Sequence, residues 1–187
     1  ILEAVIALIL FILLIPVIVV MAIVIKCDSR GRIFYTQERV GKDGRKFTIM
    51  KFRTMVENAE SLTGAVCAAD NDPRITKIGR FLRKWRLDEI PQLLNVIKGD
   101  MRLIGPRPER EVFIREFEEK IPFYTQRLLV RPGLTGWAQV KYPYTSSIEQ
   151  TEEKLQYDLY YIKNMSFILD FVVFLKTIRV VLFGKGK

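Results

Sequence analysis

The chain has 187 residues, about half of them apolar, and carries 30 Lys and Arg against 21 Asp and Glu, for a net charge of +9 and a pI near 9.6. That length is one domain, with an appendage at most. There is no histidine, and the two cysteines, Cys27 and Cys67, show no metal-ligand spacing, so histidine bases, Ser-His-Asp triads and imidazole metal sites are excluded.

Residues 4–25 are 22 positions without a charge. As one straight helix at ~1.5 Å per residue they would measure about 33 Å, enough to cross a hydrocarbon core of ~30 Å. Pro16 divides them into 12 residues before and 9 after. An interior proline removes one helix hydrogen bond and kinks the axis. Two readings compete: a kinked transmembrane helix, and a re-entrant hairpin that enters and leaves by one face. Lys26, Arg30 and Arg32 follow at once, which places this end on the cytoplasmic side. The run is long and lacks a small-residue cleavage pattern, unlike a signal peptide. The chain starts at Ile1, as expected of the tail of a longer protein or of a trimmed one. A basic chain suits nucleic acid, an anionic membrane surface or a phosphorylated substrate, and the apolar segment favours the last two. The scattered cysteines fit a reducing compartment.

Residues 31–55 read as a β-hairpin: Ile33-Phe34-Tyr35 is β-prone, Lys42-Asp43-Gly44 makes a turn, and residues 46–52 alternate with Phe47, Ile49 and Lys51 on one face. Lys51 and Arg53 close the second arm, as edge charges or as site cations. A short helix is expected over residues 56–62, then a loop. Pro73 opens a basic amphipathic helix with Ile75, Ile78, Phe81, Leu82 and Trp85 on one side and Lys77, Arg80, Arg83 and Lys84 on the other. Its basic face is either merely solvated or docked on anionic headgroups, with Trp85 at the interface.

Residues 85–108 concentrate the chemistry. Ile90, Leu93, Leu94 and Ile97 predict a helix over residues 91–98, stopped by Gly99. Asp88 is then expected at or just before its N-terminus, with Glu89 beside it. Either Asp88 is a simple cap, or it is an anionic nucleophile beside N–H groups that bind phosphate. Gly105-Pro106-Arg107-Pro108 and Arg131-Pro132-Gly133-Leu134-Thr135-Gly136 hold arginines on stiff loops. Proline lowers the entropy lost on fixing them, and guanidinium binds phosphate oxygens bidentately. The loops are a candidate diphosphate clamp or two structural turns. Residues 109–119 and 148–164 read as amphipathic helices. The second carries Asp158, a further acidic site candidate or a surface residue. Residues 167–183 suit either a helix lying in the membrane interface, with Lys176 and Arg179 snorkelling outward, or a buried helix. No internal repeat is present.

The ordered set Tyr35-Thr36-Gln37 with Arg39, Lys51-Phe52-Arg53-Thr54-Met55, Leu87-Asp88-Glu89-Ile90-Pro91-Gln92-Leu93-Leu94-Asn95-Val96, Lys98-Gly99-Asp100-Met101, the two arginine loops and Tyr157-Asp158 resembles the bacterial sugar transferases, the monotopic polyprenyl-phosphate phosphoglycosyl transferases. The resemblance implies transfer of a phosphosugar from a UDP-sugar to membrane polyprenyl phosphate, usually undecaprenyl phosphate, with release of UMP. It implies that Asp88 attacks the β-phosphorus, that Glu89 is its partner, and that Mg²⁺ shields the diphosphate with Asp88 contributing to its binding. Lys51, Arg53, Arg107 and Arg131 would bind substrate phosphates, with Gln92 and Asp158 as further site candidates. It also favours the re-entrant helix, broken at Pro16, with both ends in the cytosol. Ile15 stands where the family commonly has serine, whose hydroxyl would serve carbonyls freed at the break.

The expected fold is therefore α+β, mainly helical. It is a monotopic membrane protein with a re-entrant helix in residues 1–25, and a catalytic domain in residues 26–187 with a small β-hairpin and interfacial helices. The expected location is the cytosolic face of the bacterial inner membrane, and no nucleic-acid partner is expected. The competing reading is a non-catalytic, basic, membrane-anchored interaction domain in which Asp88 is only a cap.

Overall fold

A computed structural model describes residues 2–59, 64, 72–142 and 147–184. Helix α1 (Leu2–Asp28) spans 27 residues and runs through Pro16 as one helix. Its contacts with the rest of the protein follow a single stripe. Ala7, Leu10, Phe11 and Leu14 pack with Ile49, Leu93, Val96 and Met101, while Ile18, Met21 and Ile25 pack with Phe52 and Leu82. Positions 7, 11, 14, 18, 21 and 25 alternate steps of four and three, the spacing that keeps one helix face turned to a partner. The stripe continues on both sides of Pro16, so the helix lies along the domain. Its other face is bare: Leu8, Ile12, Val19 and Ile23 are 46–59% exposed. A contiguous apolar face of this size marks a surface for lipid or another protein.

Strands β1 (Phe34–Val40) and β2 (Lys46–Phe52) form the expected antiparallel hairpin, paired from Phe34 with Phe52 to Val40 with Lys46. Lys42–Gly44 makes the turn, with Asp43 and Gly44 at φ 55° and 76°. Helix α2 (Lys77–Lys84) begins at a Thr76 cap, whose hydroxyl accepts from Gly79 N at 2.9 Å. It is shorter than the segment opened by Pro73. Arg83 is not part of a wholly solvated basic face: its Nε donates to Thr54 Oγ1 at 2.9 Å. The helix expected over 56–62 does not form in its described part, where residues 57–59 make a turn; residues 60–62 lie outside the described residues, as does Cys67.

A 3₁₀ turn, Leu87–Gln92, precedes helix α3 (Leu93–Lys98). Asp88 is thus not an N-cap of a helix starting at Pro91. It lies inside the turn, which is entered through Arg86 at φ 53°. Pro91 disfavours α geometry at Ile90, so the α-helical ladder begins only beyond it. Gly99 ends α3 as expected, at φ 87°.

Strands β3 (Arg102–Ile104) and β4 (Gly133–Thr135) pair in parallel, Arg102 with Gly133 and Ile104 with Thr135. Three residues each are too short to show periodicity, so the sequence does not announce them. They bring the two arginine loops side by side. The backbones approach so closely that a Cβ on Gly133 would lie 2.0 Å from Gly105 N. Gly133→Ala is expected to force the strands apart at a cost of about 2–3 kcal/mol, read as a lowered midpoint in chemical denaturation; an unchanged midpoint would refute the close approach.

Helix α4 (Glu111–Lys120), a 3₁₀ turn at Tyr124–Leu129, and helices α5 (Trp137–Lys141), α6 (Ile148–Lys163) and α7 (Phe167–Leu182) complete the described fold. The protein is mostly helical with small two-stranded sheets. Helix α7 buries Val173 against Ile104 and Tyr161, and leaves Phe167, Ile168, Phe171, Phe174, Leu175 and Leu182 exposed. Like α1, it presents an uncovered apolar face. These two faces are the surfaces that membrane association would use, and α1 is by length and composition long and apolar enough to cross a membrane.

Candidate active site

Glu89 is the electrostatic centre of the site. Lys51 Nζ reaches its Oε1 at 2.9 Å, Arg107 Nη2 donates to the same oxygen at 2.7 Å, and Arg86 Nη1 stands 3.5 Å from Oε2. These cations come from three places. Strand alternation puts Ile49 into the core and Lys51, two residues on, beside the 3₁₀ turn. Arg107 comes from the loop after β3, and Arg86 from the residue before the turn.

Asp88 is buried to a similar degree, 8% exposed against 6% for Glu89. Its situation is the opposite. None of the hydrogen bonds among the described residues ends on its carboxylate, and the charges of Lys51, Arg83 and Arg107 act to lower its pKa. Burial, then the neighbouring Glu89 charge, push the Asp88 carboxyl up. Burial also pushes Glu89 up, but the charges of Arg107, Lys51 and Arg86 and the Arg107 hydrogen bond outweigh it. They hold Glu89 well below the usual carboxylate range. The Glu89 charge in turn raises Arg107. The two adjacent carboxylates therefore differ: Glu89 is held as the anion among its cations, and Asp88 is the more basic of the pair.

The other sequence candidates are dispersed. Arg53 is buried, and its Nη2 donates to Ser29 O at 2.8 Å and Ser29 Oγ at 2.7 Å, tying β2 to the end of α1. Arg131 is exposed on its loop. Gln92 shares the 3₁₀ turn with Asp88 and is 3% exposed, its Nε2 without a partner among the described residues. Asp158 is no surface residue: at 3% exposed it accepts from Arg127 Nη2 at 2.9 Å, behind the Arg107 loop. Sequence reasoning passed over Arg86 and Arg127. Arg86 is three residues before Glu89, a spacing that i,i+3 pairing makes visible. Arg127 lies in an aperiodic stretch with no comparable signal.

Among the described residues no group of three acidic, cysteine or histidine ligands gathers. Mg²⁺ does not require one, because it is commonly held by one or two carboxylates together with substrate phosphates. Asp88 fits that donor set; Glu89 is committed to its three cations.

The site is thus a buried carboxylate pair within a cage of lysine and arginine, on a domain with bare apolar helices. The model of the bacterial sugar transferase family matches residues 1–184, and the chain belongs to that family. It is 49% identical over 171 residues, 91% of its length, to the UDP-N-acetylgalactosamine-undecaprenyl-phosphate N-acetylgalactosaminephosphotransferase of Aeromonas hydrophila. It is 37% identical over 182 residues, 95% of its length, to the UDP-glucose:undecaprenyl-phosphate glucose-1-phosphate transferase of Escherichia coli K12. With the UDP-galactose-lipid carrier transferase of Erwinia amylovora it shares 39% over 188 residues, 93% of its length. The chain spans 40%, 39% and 38% of the lengths of these three relatives.

Proposed function

We propose that this protein transfers a sugar 1-phosphate from a UDP-sugar to polyprenyl phosphate, undecaprenyl phosphate in bacteria, through a covalent intermediate on Asp88. The observation that carries the reading is the division of labour between Asp88 and Glu89. An Asp88 oxygen attacks the β-phosphorus, the bond from that phosphorus to the bridging oxygen breaks, and UMP leaves. A phosphate oxygen of the lipid then attacks the same phosphorus, and the Asp88–phosphorus bond breaks. The anomeric C–O bond is untouched, so sugar configuration is retained. Carboxylate attack on a diphosphate is opposed by like charge. Lys51, Arg107, Arg86 and Arg83 offset that repulsion, which is the main work in phosphoryl transfer. Arg53 and Arg131 remain proposed contacts for more distant substrate phosphates. Mg²⁺ bound at Asp88 with the substrate would supply further charge neutralisation. The relatives named above differ in the sugar they transfer, so the donor sugar is left open. UMP release from a panel of UDP-sugars with undecaprenyl phosphate tests the reading; no release from any of them leaves a non-catalytic membrane module as the better description.

The monotopic arrangement is proposed on two supports. Glu3 Oε1, at the start of α1, accepts from Arg102 Nε at 2.9 Å and Nη2 at 2.6 Å, and Ser29, just past its end, accepts from Arg53 Nη2 at its O at 2.8 Å and at its Oγ at 2.7 Å. Both ends of α1 are thus tied to one domain, and the contact stripe joins them. This fits a helix that dips into one leaflet from the cytosolic face of the inner membrane. In the same frame, Lys77, Arg80 and Lys84 of α2 face anionic headgroups. Cys27 is exposed at the end of α1. In a Cys67→Ser background, Cys27 and a cysteine introduced at Leu2 are expected to react with an impermeant maleimide from the same side; labelling from opposite sides would make α1 a spanning helix.

A further inference from the structure

Four consecutive carbonyls of the Arg107 loop are each held by a donor from elsewhere. Pro106 O accepts from Gly133 N at 2.9 Å, Arg107 O from Arg127 Nη2 at 2.9 Å, Pro108 O from Arg39 Nη1 at 3.3 Å, and Glu109 O from Val40 N at 3.0 Å. Surface loops ordinarily give their carbonyls to water. Here the backbone on both sides of Arg107 is clamped, and one of the clamps is a buried cation.

Arg127 is 5% exposed. Besides the Arg107 carbonyl, it donates from Nη1 to Tyr124 OH at 2.8 Å and from Nη2 to Asp158 Oδ2 at 2.9 Å, and its guanidinium stands 5.1 Å from the Tyr124 ring centre. Tyr124 and Asp158 are each 3% exposed. A buried ion pair is a poor stabiliser, because desolvation consumes most of what attraction returns. What a planar guanidinium with a fixed fork offers is direction. That direction ends on the carbonyl of Arg107, whose own side chain meets Glu89 at 2.7 Å.

We propose that Arg127, oriented by Asp158 and Tyr124, is a positioning residue for Arg107, setting where the Arg107 guanidinium stands against Glu89 and the substrate phosphates. The inference rests on the transferase reading above and adds to it a residue that touches neither substrate nor Glu89. A purely structural Arg127 would cement the Tyr124–Leu129 turn to α6 and have no special bond to Arg107's role.

A double-mutant cycle separates the two. Arg127→Lys, Asp158→Asn, Arg107→Ala and the two doubles with Arg107→Ala are assayed as the whole chain in lipid nanodiscs, by UMP release and by thermal unfolding. A misplacement of about 1 Å in a phosphate-clamping group can cost on the order of 100-fold. Arg127→Lys and Asp158→Asn are each expected to lower kcat by about 10- to 100-fold with KM nearly unchanged. In the Arg107→Ala background each should lower it by less than about twofold, since there is no longer a side chain to place. Equal losses in both backgrounds, or no loss from Arg127→Lys alone, would overturn the proposal. If the wild type releases no UMP at all, the transferase reading fails instead. The cycle is then run on the Kd for UDP, where additivity again overturns the positioning role.

Discussion

Asp88→Asn is expected to abolish UMP release, by at least about 10³-fold, and to leave the protein as stable as the wild type or more so. The first half follows from the mechanism: an amide is not a competent nucleophile, and loss of a covalent nucleophile costs several orders of magnitude. The second follows from the site. Asp88 is buried, accepts no hydrogen bond among the described residues, and lies beside the fixed charge of Glu89. Its folded-state pKa is raised, so the unfolded chain holds the ionised form more readily. The carboxylate therefore destabilises the fold above its folded-state pKa. That penalty disappears as pH falls through the folded value towards the unfolded one, about 4. Asp88→Asn removes the penalty at neutral pH. The same raised pKa places the acid limb of the rate profile above that of a free aspartate, because attack needs the ionised form. Thermal unfolding and single-turnover UMP release on the two proteins check both halves. A variant that keeps turning over refutes the nucleophile, and one that unfolds well below the wild type refutes the electrostatic account.

Glu89→Gln is expected to behave in the reverse manner. Glu89 neutralises Lys51 and Arg107 at 2.9 and 2.7 Å and is approached by Arg86. Removing one member of a buried ion cluster leaves its partners uncompensated, at a cost of about 3–5 kcal/mol, or a fall in Tm on the order of 10 °C for a domain of this size. The linkage has the opposite sign to that of Asp88. The Glu89 pKa is depressed in the fold, so its stabilisation is fully present above the unfolded value, about 4.3, and is lost as pH falls through the folded value. Stability measured between about pH 7 and pH 3 should therefore fall in the wild type and change much less in Glu89→Gln. A Glu89→Gln protein as stable as the wild type would show that the three cations do not depend on it. With those two outcomes the pair would separate by function and by stability, Asp88 carrying the proposed chemistry and Glu89 holding the cage together.

Some of this is written in the residues. The hairpin, the apolar first helix, α2, α4, α6 and α7 follow from hydrophobic period and turn chemistry, because those signals repeat over seven or more residues. The ordered motifs around Asp88-Glu89 and the two arginine loops single out the candidate site and the family. The 3₁₀ turn that replaces a capped helix start was hidden because Pro91 fits both descriptions. The parallel pair β3–β4 was hidden because strands of three residues have no period to read.

What the sequence by itself determined is the family and the groups available for chemistry: adjacent carboxylates, stiffly held arginines, no histidine and a long apolar helix. Those are properties of residue types and local spacing. Only the tertiary structure decided which carboxylate is caged and which is the more basic, and that Arg53 turns to Ser29 while Arg107 turns to Glu89. It also decided that Asp158 and Arg127 stand behind the Arg107 loop. These depend on burial and on charges from residues 18 to 38 positions away from their partner, which become neighbours only once strands, turns and loops have packed.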